Sequence, residues 1–302
     1  MSNLRLRSGR ASVLLAAMLV GAPLFAQDDG WTLDAELDAG VRVTAAENAV
    51  RDDDDTVDDD AISFSLSPQV TATNGPVEVA LRHRVRRIEY FDDDREDLWR
   101  NLLGAEVTYT TDPMGAVSVF AERGWNVSTA EFPRADQWEA GAEIERRFGA
   151  AHRVRVGGSW RERSYDDLAG SEGSGPRLDA QYRYRFAANH YLYVAGRVEE
   201  IDSDAERREM NRWLLSASYQ RPLARDLRIR PQLTYRELDF PGRIVPDGAS
   251  REDTILIPEV TLLYSPGDWL FSGELRYNIR SSNDPERGED GFRISVNASH
   301  EF

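Results

Sequence analysis

The sequence predicts an all-β fold: a closed antiparallel up-and-down β-barrel of about fourteen strands, spanning a membrane around a water-filled lumen. Three observations predict it. Apolar residues recur at every second position in fourteen segments, the period of an extended strand with one greasy face and one wet face. The connections between segments alternate long and short along the whole chain. Aromatic residues gather at both ends of the apolar faces, where two membrane–water interfaces would hold them.

Residues 1–26 are expected to lie outside the fold. Arg5, Arg7 and Arg10 precede an apolar run from Ala11 to Val20, and a cleavage site follows Ala26, the pattern of a secretory signal peptide. The run is too short to span a bilayer. No Cys is present, so neither a lipid-anchor thiol nor a disulfide is available. Residues 27–302 then form a single barrel domain. No helical-span apolar run remains in it, and 30% of the chain is charged. A transmembrane barrel passes this test unseen, because only alternate residues meet lipid. All basic residues are Arg. Without the leader, 34 Arg stand against 53 acids, a net charge of −19, which disfavours nucleic-acid binding.

The first strand sets the pattern, with Trp31, Leu33, Ala35, Leu37, Ala39, Val41 and Val43 alternating with Thr32, Asp34, Glu36, Asp38, Gly40 and Arg42. A loop from Ala45 to Asp60 follows, holding the acidic run 52–60. Clustered carboxylates suit a hard cation, but the run lacks the Gly and terminal Glu of an EF-hand and reads as a solvated acidic surface, with no metal site expected. The second strand presents Ile62, Phe64, Leu66, Val70 and Ala72 outward and ends at the turn Asn74-Gly75-Pro76. In the third, Val77, Val79, Leu81 and Val85 face outward, and a slipped pattern at Arg87-Ile88 suggests a bulge.

The unit of strand, polar loop, strand and tight turn then repeats. The fourth strand carries Trp99, Leu103, Ala105, Val107 and Tyr109, the fifth Val117, Val119 and Ala121, and the sixth Trp138, Ala140, Ala142 and Ile144. Val154, Val156 and Trp160 mark the seventh, and Leu178, Ala180, Tyr182, Tyr184 and Phe186 the eighth. Between these two, Asp166 to Gly175 reads as a loop. The ninth strand holds Leu192, Val194 and Val198, the tenth Trp213, Leu215, Ala217 and Tyr219, and the eleventh Leu227, Ile229, Leu233 and Tyr235. After a loop from Pro241 to Ser250 come Leu256, Val260, Leu262 and Tyr264, then Trp269, Phe271, Leu275 and Tyr277. In the last strand Phe292, Ile294, Val296, Ala298 and Phe302 share one parity. An even strand number lets a single-chain barrel keep both ends on one side. Each segment is about ten to thirteen residues long, close to the roughly 9–11 tilted residues a bilayer core requires. Trp99, Trp138, Trp160 and Trp213 flank the long loops, and Tyr109, Tyr184, Tyr219, Tyr264 and Phe302 the short turns or the chain end, giving two membrane girdles.

If the apolar parity meets lipid, the other lines the lumen. Its predicted basic members include Arg82, Arg84, Arg86 and Arg100, then Arg153, Arg155, Arg161, Arg183 and Arg185, then Arg212, Arg228, Arg230, Arg236 and Arg276. Its acidic members include Glu36, Asp38, Glu106, Glu122, Glu139, Glu143, Glu259 and Glu274. So many charges are costly to bury dry and inexpensive against enclosed water. Arg dominates strands three, seven, eight and eleven, and acids dominate strands one, five and six. Such segregation implies a field across the lumen, with cross-strand pairing as its structural counterpart.

The strand count, the length, the terminal Phe302 and the Arg/Glu-lined interior resemble the fourteen-stranded monomeric OmpG-type porins of the bacterial outer membrane, and more loosely the KdgM-like oligosaccharide porins. The resemblance implies a Gram-negative outer-membrane location, contact with outer-membrane lipids and lipopolysaccharide, and reading of the C-terminal strand by the barrel assembly machinery. It also implies a monomer rather than a trimer, and diffusion of small hydrophilic solutes, anionic oligosaccharides among them. The alternative is an export or assembly barrel passing a polysaccharide or protein within a multi-protein system. Surface-lipoprotein translocators with fourteen-stranded barrels carry a periplasmic helical-repeat domain, and the few residues before Trp31 count against that form of the alternative. No cofactor and no nucleic-acid partner are expected. Neither is an enzyme: the four His (His83, His152, His190 and His300) stand in no hydrolase motif, and Val85 occupies the position beside His83 where a nucleophile would be needed. Ala45 to Asp60 is the loop expected to fold inward as a gate.

Overall fold

The computed structural model describes residues 30–47, 59–92, 95–112, 114–132, 134–166, 170–285 and 287–302. Residues 1–29, which include the segment expected to be a signal peptide, and most of the acidic loop, positions 48–58, lie outside them. Fourteen strands close into one barrel in simple up-and-down order: β1 (Thr32–Glu47), β2 (Ala61–Asn74), β3 (Val77–Tyr90), β4 (Leu98–Asp112), β5 (Gly115–Val127), β6 (Ala135–Phe148), β7 (His152–Tyr165), β8 (Glu172–Ala187), β9 (His190–Ser203), β10 (Met210–Pro222), β11 (Leu227–Ile244), β12 (Ser250–Tyr264), β13 (Trp269–Ser282) and β14 (Gly291–Glu301). All neighbours are antiparallel. The seam joins β1 to β14, where Phe302 N–H donates to the Leu37 carbonyl at 3.0 Å and Leu37 N–H donates to that of Phe302 at 3.3 Å. Closure leaves no strand edge unpaired, a requirement for any sheet in hydrocarbon.

Register sorts the side chains. Val41 lies opposite Phe64 and Ala298 on the outer surface, and Arg42 opposite Ser63 and Asn297 on the inner one. The outer surface is the greasy one: Trp213, Leu178 and Val296 are each 62% exposed and Leu215 is 56% exposed. Water would not tolerate so continuous an apolar band, whereas a bilayer demands it. Trp99, Trp138, Trp160 and Trp213 stand exposed toward the long-loop end. Tyr109, Tyr219, Tyr264 and Phe302 stand exposed toward the short-turn end, with Tyr184 partly covered by Phe186 and His152. Four outward prolines interrupt the ladder without shifting it. Pairing skips a rung at Pro68, Pro176, Pro231 and Pro258, each of which lacks the N–H to make one.

Three sequence expectations are corrected. First, β3 has no bulge at Arg87-Ile88: its register with β2 and β4 is unbroken. Arg87 simply points outward, bonded to Glu89 at 2.6 Å and Asp97 at 3.0 Å and lying 5.4 Å over the Trp99 ring. Ile88 points inward and is fully buried. Second, residues 172–175 are strand rather than loop. The Gly/Ser composition there serves close approach, since a Cβ on Gly175 would sit 2.0 Å from the Glu200 carbonyl oxygen. Third, β11 continues past Pro241 to Ile244, with a register shift after Phe240.

The apolar core sits inside the barrel at its long-loop end. Ile201, Met210, Leu238, Phe240, Ile255 and Ile257 form one inward cluster, with Ala130 packed on it. Ala61, Ile88 and Leu98 form a second, and Val127, Ala135 and Tyr165 a third, with Phe132 against it.

Candidate functional site

The barrel interior is the candidate site, and it has two unlike halves. At the long-loop end the inner wall is packed. Glu199, 2% exposed, is the hub: it is ion-paired with Arg161 and Arg212 and accepts from Arg163 Nη2 at 3.1 Å. Arg163 also donates from Nε to Gln137 at 2.7 Å and pairs with Glu131. Tyr165 donates its hydroxyl to Glu131 at 3.0 Å. Next to this group, Glu139 accepts from Ser159 at 2.7 Å and from Arg177 at 3.4 Å. The geometry follows from pleat and register, because β6, β7, β9 and β10 each aim alternate residues at the same level of the interior. Three arginines around one buried carboxylate are tolerable only because each charge has an opposite partner within bonding distance.

Glu131 belongs to no strand. It lies in the β5–β6 connection, whose Ser128, Thr129 and Glu131 are each 4% exposed or less. A tight turn shapes the segment: Thr129 N–H donates to the Phe132 carbonyl at 2.9 Å, and Phe132 N–H donates to Thr129 Oγ1 at 3.1 Å. The connection reaches across the interior. Its Glu131 carbonyl accepts from Arg243 at 2.7 Å and from Arg208 at 3.4 Å, and Arg208 lies 4.0 Å over the Phe132 ring. Ala130 meets side chains of β9 to β12. The β9–β10 connection, which carries a 3-10 turn at Glu206–Arg208, is pressed onto β11 at Gly242. A Cβ there would lie 2.0 Å from the Glu206 carbonyl oxygen. Among the described residues the segment that turns inward is 128–132; the Ala45–Asp60 loop, expected from the sequence to fold inward as a gate, lies for the most part outside the described residues.

Toward the short turns the interior opens. A cavity of about 290 Å³ lies against β1–β5, with Glu36, Asp38, Glu106 and Glu122 outnumbering Arg82 and Arg84. Arg82 bonds Glu106 at 2.9 Å and keeps half its side chain exposed. A second cavity, about 100 Å³, lies against β7–β9 and is lined by Arg153, Arg155, Gln181, Arg183 and Tyr193. Acid and base thus occupy different arcs of the same wall.

The inward residues named from sequence divide between these environments. Arg100, Arg161, Arg212, Arg236, Arg276 and Glu139 are buried at 7% exposure or less. Glu36, Asp38, Arg84 and Arg185 are exposed, and Arg86, Arg153, Arg155, Arg183, Arg228, Arg230, Glu106, Glu122, Glu143, Glu259 and Glu274 are intermediate. Arg293 pairs with Glu274 at 2.5 Å and Arg228 donates to Ser265 at 2.7 Å. Sequence reasoning missed Glu131, Tyr165 and the inward apolar ring. A signal existed in Ile255-Leu256-Ile257, where both parities are apolar, so one side must be covered from within. Among the described residues no cluster of His, Asp and Glu is arranged to hold a metal ion.

No family model matches the chain, and no curated protein sequence matches it. Solved structures do. The chain is similar to outer-membrane expressed OmpT of Vibrio cholerae, at 10% identity and a TM-score of 0.54, covering 91% of this chain and 99% of that one. It is also similar to the outer membrane channel DcaP of Acinetobacter baumannii, at 9% identity and a TM-score of 0.51, covering 92% and 99%. A bacterial polysaccharide outer membrane secretin matches at 11% identity and a TM-score of 0.50, covering 89% and 98%. At such identities the likeness is one of fold, the closed membrane barrel.

Proposed function

We propose that the chain is a channel of the bacterial outer membrane, admitting small hydrophilic solutes, anionic sugars among them, through a constricted charged lumen. The observation that carries this reading is the inverted partition: an apolar outside around an interior of ionised side chains with open volume toward the short turns. A barrel of fourteen strands lies between those filled by their own side chains, at about eight, and those holding a wide aqueous channel, at about sixteen. The segment 128–132, latched by Glu131 to Arg163 and Tyr165, then sets the narrowest passage. The long loops face outward from the cell and the short turns face the periplasm. Chemistry is not assigned to the interior, because a charged wall with segregated signs discriminates among solutes without a nucleophile or a cofactor.

Planar-bilayer recording on the refolded mature barrel tests the reading. Discrete current steps are expected, with a reversal potential in a salt gradient whose sign reports whether the arginine or the carboxylate arc dominates. A barrel silent both intact and with residues 128–132 replaced by Gly-Ser would end it.

A further inference from the structure

The inner wall of β7–β9 near the short turns carries an arrangement that the sheet itself does not require. Arg153 lies directly opposite Arg183, Arg183 opposite Tyr193, and Arg155 opposite Gln181, so the five side chains around the 100 Å³ cavity form one continuous patch. Like charges facing each other across neighbouring strands repel. Arg153 and Arg155 are anchored from the side by Glu145, to which Arg155 donates at 3.1 Å, and Arg155 also bonds Glu143 at 2.9 Å. Glu145 is shared further with Arg147 at 3.1 Å. Toward the long loops, Asp179 is held by Arg177 at 2.5 Å and Arg197 at 2.8 Å. Arg183 is left without a carboxylate, 6.0 Å from the Tyr191 ring. Their backbones pair in the sheet, but among the described residues the side chains of Arg183, Gln181 and Tyr193 make no hydrogen bond to the protein. Four arginines face two glutamates, an excess of two positive charges.

We propose that this patch binds a small oxyanion, a phosphate or carboxylate group, either free or carried on a sugar. Guanidinium forks match such groups in a paired, planar geometry that ammonium cannot reproduce. An anion seated between Arg153 and Arg183 converts their repulsion into two attractions. The Gln181 amide and the Tyr193 hydroxyl supply neutral donors on the remaining sides. The cavity has the volume of about three liquid waters, at roughly 30 Å³ each, room for one oxyanion group with the rest of a sugar projecting into the lumen. Glu143 and Glu145 hold Arg153 and Arg155 in place, so little ordering remains for the ligand to impose. The site goes beyond the channel reading, since it binds whether or not the barrel conducts.

Calorimetric titration of the refolded mature barrel in detergent, with inorganic phosphate, glucose 1-phosphate and galacturonate, tests the site. Saturable binding of at least one is expected. Arg183→Gln should weaken it by about tenfold or more, the loss of one charged fork, Arg183→Lys should restore part of it, and Arg185→Gln, one inward position nearer the turn, should leave it unchanged. A preference for the sugar-borne anions would identify a solute site, and a preference for inorganic phosphate a site for the free anion. Heat-modified gel migration checks folding: in anion-poor buffer Arg183→Gln should melt no lower than the parent, because it removes the Arg153 repulsion. Wild-type affinity retained in Arg183→Gln, or no saturable binding by the parent, overturns the proposal. A barrel that conducts without binding keeps the channel and loses this site. A barrel that binds without conducting does the opposite.

Discussion

Glu199 shows what a single residue does here. It sits among Arg161, Arg163 and Arg212 with almost no contact with solvent. Removing a buried partner costs more than the pair is worth, because the opposite charges remain and cannot rehydrate. Glu199→Gln should therefore destabilise the barrel by about 3–5 kcal/mol, read from the urea midpoint of unfolding in lipid vesicles. A change under about 1 kcal/mol, the range of surface pairs, would mean that water reaches this hub. The alternation in β9 made Glu199 legible as an inward acid. What it touches was not, because Arg161 and Arg212 come from strands whose offsets no single segment encodes.

Among the elements, the β5–β6 connection has the largest consequence. Its sequence, Ser128 to Phe132, is short and mixed, and nothing in its composition separates it from a solvated loop. Its place is set by what surrounds it: an apolar ring for Ala130 and Phe132, and Arg163, Arg208 and Arg243 converging on Glu131. Glu131→Ala leaves Arg163 with Gln137 and Glu199 only, so the segment should loosen while the strands persist. Single-channel conductance should rise severalfold and become noisier, with an unchanged heat-modified shift on gels. Equal conductance in parent and variant would mean that the constriction lies elsewhere. The closing seam offers a second test at this scale. Deleting Phe302 removes both backbone bonds to Leu37 and the ring packed 4.3 Å from His300. Refolding yield into vesicles should fall, with the survivors melting earlier.

For the whole molecule the governing property is an inside-out distribution of polarity. Leu215 and Val119 project from the middle of the outer surface, more than half exposed. Replacing either by Arg should cost about 2–4 kcal/mol, the penalty for a cation near the bilayer midplane. Arg84→Leu, inside, should cost far less, because its side chain faces open volume. Vesicle-based urea titrations of the three variants check the contrast, and equal costs would refute the partition. The signs are also distributed at this scale. Strands one to five give one arc and strands seven to nine another, and only closure of the sheet puts the two around the same enclosed space.

Alternation, loop asymmetry and aromatic placement determined by themselves that the chain forms a fourteen-stranded membrane barrel, and they assigned one parity of each strand to the outer surface and the other to the interior. These are local properties: a period of two and the position of turns are written within one strand and its neighbour. Which connection turns inward, which charges are sealed in pairs and which stay open was decided by tertiary structure alone. Those outcomes depend on distances between side chains from strands far apart in sequence, fixed by register, by strand tilt and by the closing of β14 onto β1.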